Sequence, residues 1–379
     1  ALSFMTKIGA EITVSQSVGS KDYRRAAHYA SQAITLSTTI GFIYACIIIL
    51  AAPLLMGLFR FETSISTQAI DYMRLVAPGL FFQFNNNTFS GLYNGQGDSR
   101  TPFRTSAVGL IVNIILDPLL IYGIGPFPAW GTAGAAVATA LAQLVVYGIF
   151  ARRIFSDRFP LGRMHLLNRL KQDYARRIIL LGLPVSIQNA LFSMFSLTLA
   201  TLAARWGAVG VAAQSIGAQI EAISWMTSTA LAAFTGQNYG AGNYERIRKG
   251  YRLTLGIAGS IGLGAGILFF VLNHEIFGLF VNEPEAIEAG GNYLKILALS
   301  QLFMVTESVT AGAFNGTGHT TPPALTGIIF TGARIPMAYF LTSFPQLGLT
   351  GIWWSITISS ILKGSVLPLW FLHFQRKLK

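Results

Sequence analysis

The sequence predicts an all-α integral membrane protein, and three observations carry that reading. Of 379 residues, 52% are hydrophobic and only 11% charged, with a mean hydropathy of +0.53, whereas a soluble domain carries about 25% charged residues. Apolar stretches long enough for a ~20-residue membrane helix recur along the chain. The second part of the sequence also repeats the first. Strands of an outer-membrane barrel would be half as long and would alternate polar with apolar residues.

The opening segment is apolar but holds Lys7 and Glu11, too polar for a signal-peptide core. Ten stretches follow, at 27–55, 69–93, 103–123, 131–150, 178–204, 209–234, 251–271, 290–314, 323–341 and 351–372. With the opening segment they predict about eleven transmembrane helices. Lys21, Arg24 and Arg25, then Arg100 and Arg104, the stretch 152–177, Arg246 with Arg248 and Lys249, and Arg376 with Lys377 fall in alternate connections. The positive-inside rule makes those connections cytoplasmic, the C-terminus among them. Because the +12 net charge is dispersed in this way, nucleic acid is not an expected partner.

The repeat has a constant offset. Gln16, Gly19, Tyr23 and Arg25 fall on Gln237, Gly240, Tyr244 and Arg246. Gly57, Leu58 and Phe59 fall on Gly278, Leu279 and Phe280, and Tyr72 falls on Tyr293. Gly91, Asn94, Gly95, Gly97 and Pro102 fall on Gly312, Asn315, Gly316, Gly318 and Pro323. Matched turns lie on the same side, so the halves are parallel repeats about an axis along the membrane normal. The expected organisation is an N-terminal lobe at 1–151, a basic cytoplasmic linker at 152–177 and a C-terminal lobe at 178–379. By the register of the repeat, roughly 45 residues, a helix and half of the next, are expected before residue 1 of an intact six-plus-six bundle.

The residues resemble the multidrug and toxic compound extrusion (MATE) transporters, in particular their DinF-like branch. The resemblance rests on Gln16 to Gly19 with Asp22 and Tyr23, Asn94-Gly95 to Pro102, and Asn113 to Asp117-Pro118. In the second half it rests on Gln219 to Trp225, Gly236-Gln237 to Gly242, Arg334-Ile335-Pro336 and Gly351 to Trp354. It implies a two-lobed bundle with a central cavity, exporting amphipathic, cationic organic compounds in exchange for H+ or Na+. It also implies a multi-pass protein of the bacterial inner membrane, with no cofactor beyond the coupling ion. The chain departs from the family in lacking the first helix, with its carboxylate, and in having fewer residues between Trp225 and Gly236.

An ionisable group at membrane depth costs at least ~2.5 kcal/mol, which makes each one a functional candidate. Glu11, Asp117, Glu221 and Glu307 qualify. Asn113 and Asp117, four apart on one helix face, can offer oxygen ligands to sodium or act as a protonatable pair; the resemblance adds Thr139 to this site. Gln214, Ala218 and Glu221 share a face, and Glu307 falls on Asn86 in the repeat. Both carboxylates are expected to couple ions. Gln16, Asn86, Gln188, Gln214, Gln219 and Trp225 are expected at the substrate cavity, and Phe192 and Phe195 could enclose a lipophilic cation. Lys7 and Glu11 are spaced to neutralise each other, while Arg334 and Lys363 can snorkel or pair with a carboxylate.

The glycine-rich turns at Asn94 and Asn315 follow helices and lack a Walker lysine, which leaves no nucleotide site to drive transport. The five histidines form no motif with a nucleophile, so an enzyme is not expected. A monomer is the default. The alternative function, a flippase for a lipid-linked precursor, would require a strongly cationic cavity.

Overall fold

Helices follow the apolar stretches and stop at the turns that the sequence marks. The computed structural model describes residues 2–57, 62–156, 159–162, 164–226 and 231–377, without the side chains of 223–226. The helices are α1 (Leu2–Gly19), α2 (Tyr23–Gly57), α3 (Thr63–Gly95), α4 (Arg100–Tyr122), α5 (Thr132–Ile154), α6 (Gln172–Ala203), α7 (Gly207–Met226) and α8 (Leu231–Gly240). They continue with α9 (Tyr244–Val271), α10 (Asn273–Gly278), α11 (Pro284–Ala298), α12 (Gln301–Gly316), α13 (Thr321–Thr342) and α14 (Thr350–Lys377).

Seven stretches among the described residues, one of them holding both α6 and α7, are long and apolar enough to cross a membrane. The α11–α12 pair, bent by 56°, makes an eighth. α1 and α3 are not among these because their polar residues turn inward to hold the bundle. Ser37 and Thr38 of α2 donate to Asn85 Oδ1 at 3.1 and 2.8 Å, and Thr88 meets Thr6 at 2.9 Å. Such bonds are the glue of membrane helices, where no water competes. Outward-facing residues such as Leu50, Phe103 and Leu197 are large, apolar and exposed, as contact with lipid requires.

Two compact units divide the chain, Leu2–Gly182 and Leu183–Lys379, with the boundary inside α6. The described part of the basic stretch 152–177 is docked in the first unit. α5 runs on to Ile154 and α6 begins at Gln172. Between them Asn168 bonds Ser31 and Thr35, and the Lys171 amide donates to Gln32.

Helix boundaries in the two units coincide at the offset found in the sequence. α2 starts at Tyr23 and α9 at Tyr244, α3 ends at Gly95 and α12 at Gly316, and α4 starts at Arg100 and α13 at Thr321. Local bonds are copied as well. Asp22 accepts from the Arg25 amide at 2.9 Å, and Asn243, its counterpart, accepts from that of Arg246 at 3.1 Å. Gly97 (φ 88°) and Gly318 (φ 83°) close the same turn. Gly95 lets α3 approach α1 so closely that a Cβ would stand 2.9 Å from the Glu11 carbonyl; at Gly316 a Cβ would collide with the carbonyl of Ala232, the counterpart of Glu11.

Among the described residues two helices of the first half are broken in the second. α2 is continuous where its counterpart divides into α9 and α10 at Leu272. α3 is continuous through Pro78, whereas its counterpart breaks between α11 and α12. At the break the Leu297 carbonyl is taken by the Ser300 amide (3.0 Å), the Ser300 hydroxyl (2.9 Å) and the Gln301 side chain (3.2 Å). Side chains that compete for a helix carbonyl in this way favour ending the turn.

Candidate functional site

Polar side chains on otherwise apolar helices of the second unit converge on a cavity of ≈ 330 Å³. α6 supplies Gln188, α7 supplies Gln214 and Glu221, α11 supplies Tyr293, and α12, α13 and α14 supply Glu307, Arg334 and Lys363. All seven are buried or nearly so, since isolated charges facing lipid would be costly. Lys363 Nζ pairs with Glu307 Oε2 at 2.9 Å. The Tyr293 hydroxyl donates to Glu221 Oε2 at 3.0 Å. Arg334 rests on neutral partners, its Nε donating to Ser359 at 2.6 Å and its Nη2 to Ser360 at 3.0 Å. With both carboxylates ionised, the two acids and two bases leave no net charge.

Small residues set this geometry. A Cβ at Gly217 would strike the Tyr293 ring, so this glycine brings α7 near enough for Glu221 to meet the tyrosine. The other side of the ring packs edge-on against Trp353 at 5.5 Å. Gly327 makes room for the Gln188 amide in the same manner.

The first unit holds a cavity of ≈ 290 Å³ lined by Asn86, Asn87, Asn113, Thr139 and Gln143 among others, none of them charged. Asn86 Nδ2 donates to Gln143 Oε1 at 3.0 Å, and Asn113 Nδ2 to Asp117 Oδ1 at 3.3 Å. Asp117 is half-buried just beyond the lining. The two cavities occupy equivalent positions of the repeat: Asn86 falls on Glu307, Asn113 on Arg334, Thr139 on Ser360 and Ala142 on Lys363. One constellation thus exists twice, as amides and hydroxyls in the first half and as ions in the second.

The structure therefore brings Glu221, Glu307, Gln188 and Gln214 together, and separately joins Asn86, Asn113 and Thr139. Two residues expected at the substrate cavity line neither of these two cavities. Gln16 sits near the end of α1, where Arg177 donates to its Oε1 at 3.4 Å. Gln219 is exposed on another face of α7, bonded back to the Ser215 carbonyl. The Trp225 side chain and the segment after it, residues 227–230, where fewer residues than in the family were expected, lie outside the described residues. Lys7 and Glu11 make no close salt bridge, Lys7 lying over the Phe4 ring at 5.4 Å, yet the Lys7 charge still acts on the buried Glu11 carboxyl. Arg334 and Lys363 do not snorkel; both are 6% exposed and face the cavity. Their mid-helix positions were the available signal, and Tyr293 gave none beyond its match to Tyr72.

Spanning helices in two repeat-related units, with buried carboxylates and cations gathered on a cavity, define a multi-pass membrane transport protein. The MatE family model matches residues 1–119 and 184–340. The chain belongs to the multidrug and toxic compound extrusion family, whose members are transporters rather than enzymes. "Probable multidrug resistance protein NorM" of Thermotoga maritima is 30% identical over 375 residues, 96% of this chain and 80% of that protein. An outward-facing multidrug resistance MATE family transporter of the MOP superfamily superposes with a TM-score of 0.88 at 25% identity, over 100% of this chain and 84% of the other. A MOP superfamily transporter from Pyrococcus furiosus shares the fold with a TM-score of 0.91 at 24% identity, over 100% and 85%.

Proposed function

We propose that the protein is a secondary active multidrug exporter, moving amphipathic, cationic organic compounds out through the inner membrane in exchange for H+ or Na+. The observation that carries this reading is the pair of carboxylates, Glu221 and Glu307, in one membrane-depth cavity with different partners. Loading either with a proton or a sodium ion neutralises its carboxylate and weakens its present bond, to Tyr293 or Lys363. An ion with unequal affinity for two conformations then shifts the protein between them. Gln188 and Gln214 offer hydrogen bonds to a substrate, with Phe192 and Phe195 for its apolar body. Asn113, Asp117 and Thr139 supply a second candidate ion site in the first unit. The basic connections and the C-terminus face the cytoplasm, and the working unit is a monomer.

Flippase activity on a lipid-linked precursor is less well supported. A pyrophosphate calls for uncompensated cations, whereas here the two bases are balanced by two acids.

The test is dye efflux from cells expressing the protein, comparing collapse of the proton gradient with removal of sodium. Glu221→Gln and Glu307→Gln should each bring efflux to background while the protein stays in the membrane. Wild-type efflux in both variants would overturn the proposal.

A further inference from the structure

We infer that the second unit holds an anionic phospholipid at the end where α9 begins and α14 finishes, its headgroup phosphate drawn to Arg252 and Arg376. Such a site needs only a chain that spans a membrane and is independent of what the cavity exports. The Arg248 guanidinium donates to the Gln375 carbonyl at 3.1 Å, and the Tyr251 and Phe371 rings lie 4.7 Å apart, so the two helices meet there. Arg252 stands one turn on from Arg248 on the same side of α9, and Arg376 follows Gln375; both are exposed. The uncharged run from Leu253 to Val271 makes roughly 28 Å of helix, about the depth of a hydrocarbon core. Arg252 therefore stands at the membrane boundary, the level of lipid phosphates. Trp370, 40% exposed on α14, is of the residue type that gathers at this boundary.

Charge at this end is one-sided. Among the described residues of the second unit, Arg246, Arg248, Lys249, Arg252, Arg376 and Lys377 gather there with one side-chain carboxylate, Glu245, which Lys249 already holds at 2.8 Å. Glu221 and Glu307 are taken up in the cavity. Glu275, Glu283, Glu285 and Glu288 lie beyond the far end of α9, about 40 Å away along the helix. Juxtamembrane cations left in excess in this way attract anionic headgroups.

The repeat shows that this face of α9 is the one left open. Arg252, Leu253 and Gly256 fall on Ser31, Gln32 and Thr35 of α2. In the first unit those three hold the connection before α6. Asn168 bonds Ser31 at 2.6 Å and Thr35 at 3.1 Å, and Gln32 bonds the Arg169 carbonyl and the Lys171 amide. Gln32 and Thr35 are thereby 4% and 3% exposed, and Leu36 7%. Among the described residues nothing covers their counterparts in the same manner: Leu253 is 66% and Ile257 58% exposed, and no atom lies within 4 Å of a Cβ built on Gly256. The polar anchors of a protein segment are replaced by an apolar surface headed by a cation. That surface matches the acyl chains and phosphate of a lipid rather than another stretch of chain.

The experiment reconstitutes the full chain in vesicles of phosphatidylcholine and phosphatidylglycerol, with bromine on the acyl chains of one lipid or the other, and measures quenching of Trp370. The share of the emission that belongs to Trp370 is obtained by subtracting that of a Trp370→Phe protein. Phosphatidylglycerol should occupy the site about ten- to thirtyfold more strongly than phosphatidylcholine, as expected of two arginines near the surface. Arg252→Gln with Arg376→Gln should bring that ratio close to unity, whereas Arg252→Lys with Arg376→Lys, which keeps the charge, should retain most of it. Arg24→Gln with Arg100→Gln, an equal loss of exposed charge in the first unit, should leave the ratio unchanged. Excess inorganic phosphate should not displace the lipid. A ratio near unity in the wild type, a ratio that survives the paired glutamines, or one lost equally in the first-unit variant would overturn the inference. Shielding of Trp370 from both lipids would mark a protein partner on this face, and displacement by phosphate would mark a site for a free anion; either result overturns it as well.

Discussion

Lys363 and Glu307 show how much one side chain decides at membrane depth. Removing one partner of a buried pair leaves an uncompensated charge, at a cost of about 3–5 kcal/mol. Glu307→Gln should therefore lower the thermal midpoint markedly in detergent, and the double variant Glu307→Gln with Lys363→Met should recover most of the loss. A double variant as unstable as the single would refute the pairing. Asp98, in the turn before α4, tests a different balance. Burial of its carboxyl opposes ionisation, but bonds from the Thr101 hydroxyl (2.6 Å) and the Thr101 and Arg100 amides outweigh it and hold the group below its ordinary 3.8. Its stabilisation is present above that value and lost as pH falls through the lower folded one. Asp98→Ala should cost about 1 kcal/mol at neutral pH, with the difference from wild type vanishing in acid unfolding curves. Glu221, Glu307, Gln188 and Gln214 were legible because polarity within an apolar span is conspicuous. Gln16 and Gln219 line neither of these cavities, because composition says that a residue is polar, not which neighbour it meets.

The helices themselves were legible almost to their ends, since hydropathy, glycine turns and capping residues all agree at the same places. The break between α11 and α12 was not, because the apolar run across it is continuous and its cause is a competition for one carbonyl. Close helix contacts were likewise hidden, as a glycine reads the same whether it faces lipid or another backbone. Gly95→Ala and Gly316→Ala should each destabilise by about 1–3 kcal/mol by forcing helices apart. Gly264 of α9 has nothing within 4 Å of a built Cβ, so Gly264→Ala should stabilise by roughly 0.5–1 kcal/mol through helix propensity. Thermal unfolding of the three variants side by side checks both signs, and equal effects would refute the packing argument.

The repeat was visible in the sequence, and helix boundaries such as Tyr23 and Tyr244 or Gly95 and Gly316 fall on the same offset. What the sequence concealed was that the two cavities are copies, since Asn113 and Arg334 have nothing chemically in common until their positions are compared. The contrast also bears on how the protein is made. Glu307, Arg334 and Lys363 lie on α12, α13 and α14, three successive helices joined by short turns. Entering lipid one at a time, each charge costs about 2.5–3.5 kcal/mol, and the ion pair that offsets the cost for Glu307 forms only when α14 arrives. Biogenesis of this half is thus weighted toward α14, whose arrival completes the electroneutral core that α12 and α13 lack.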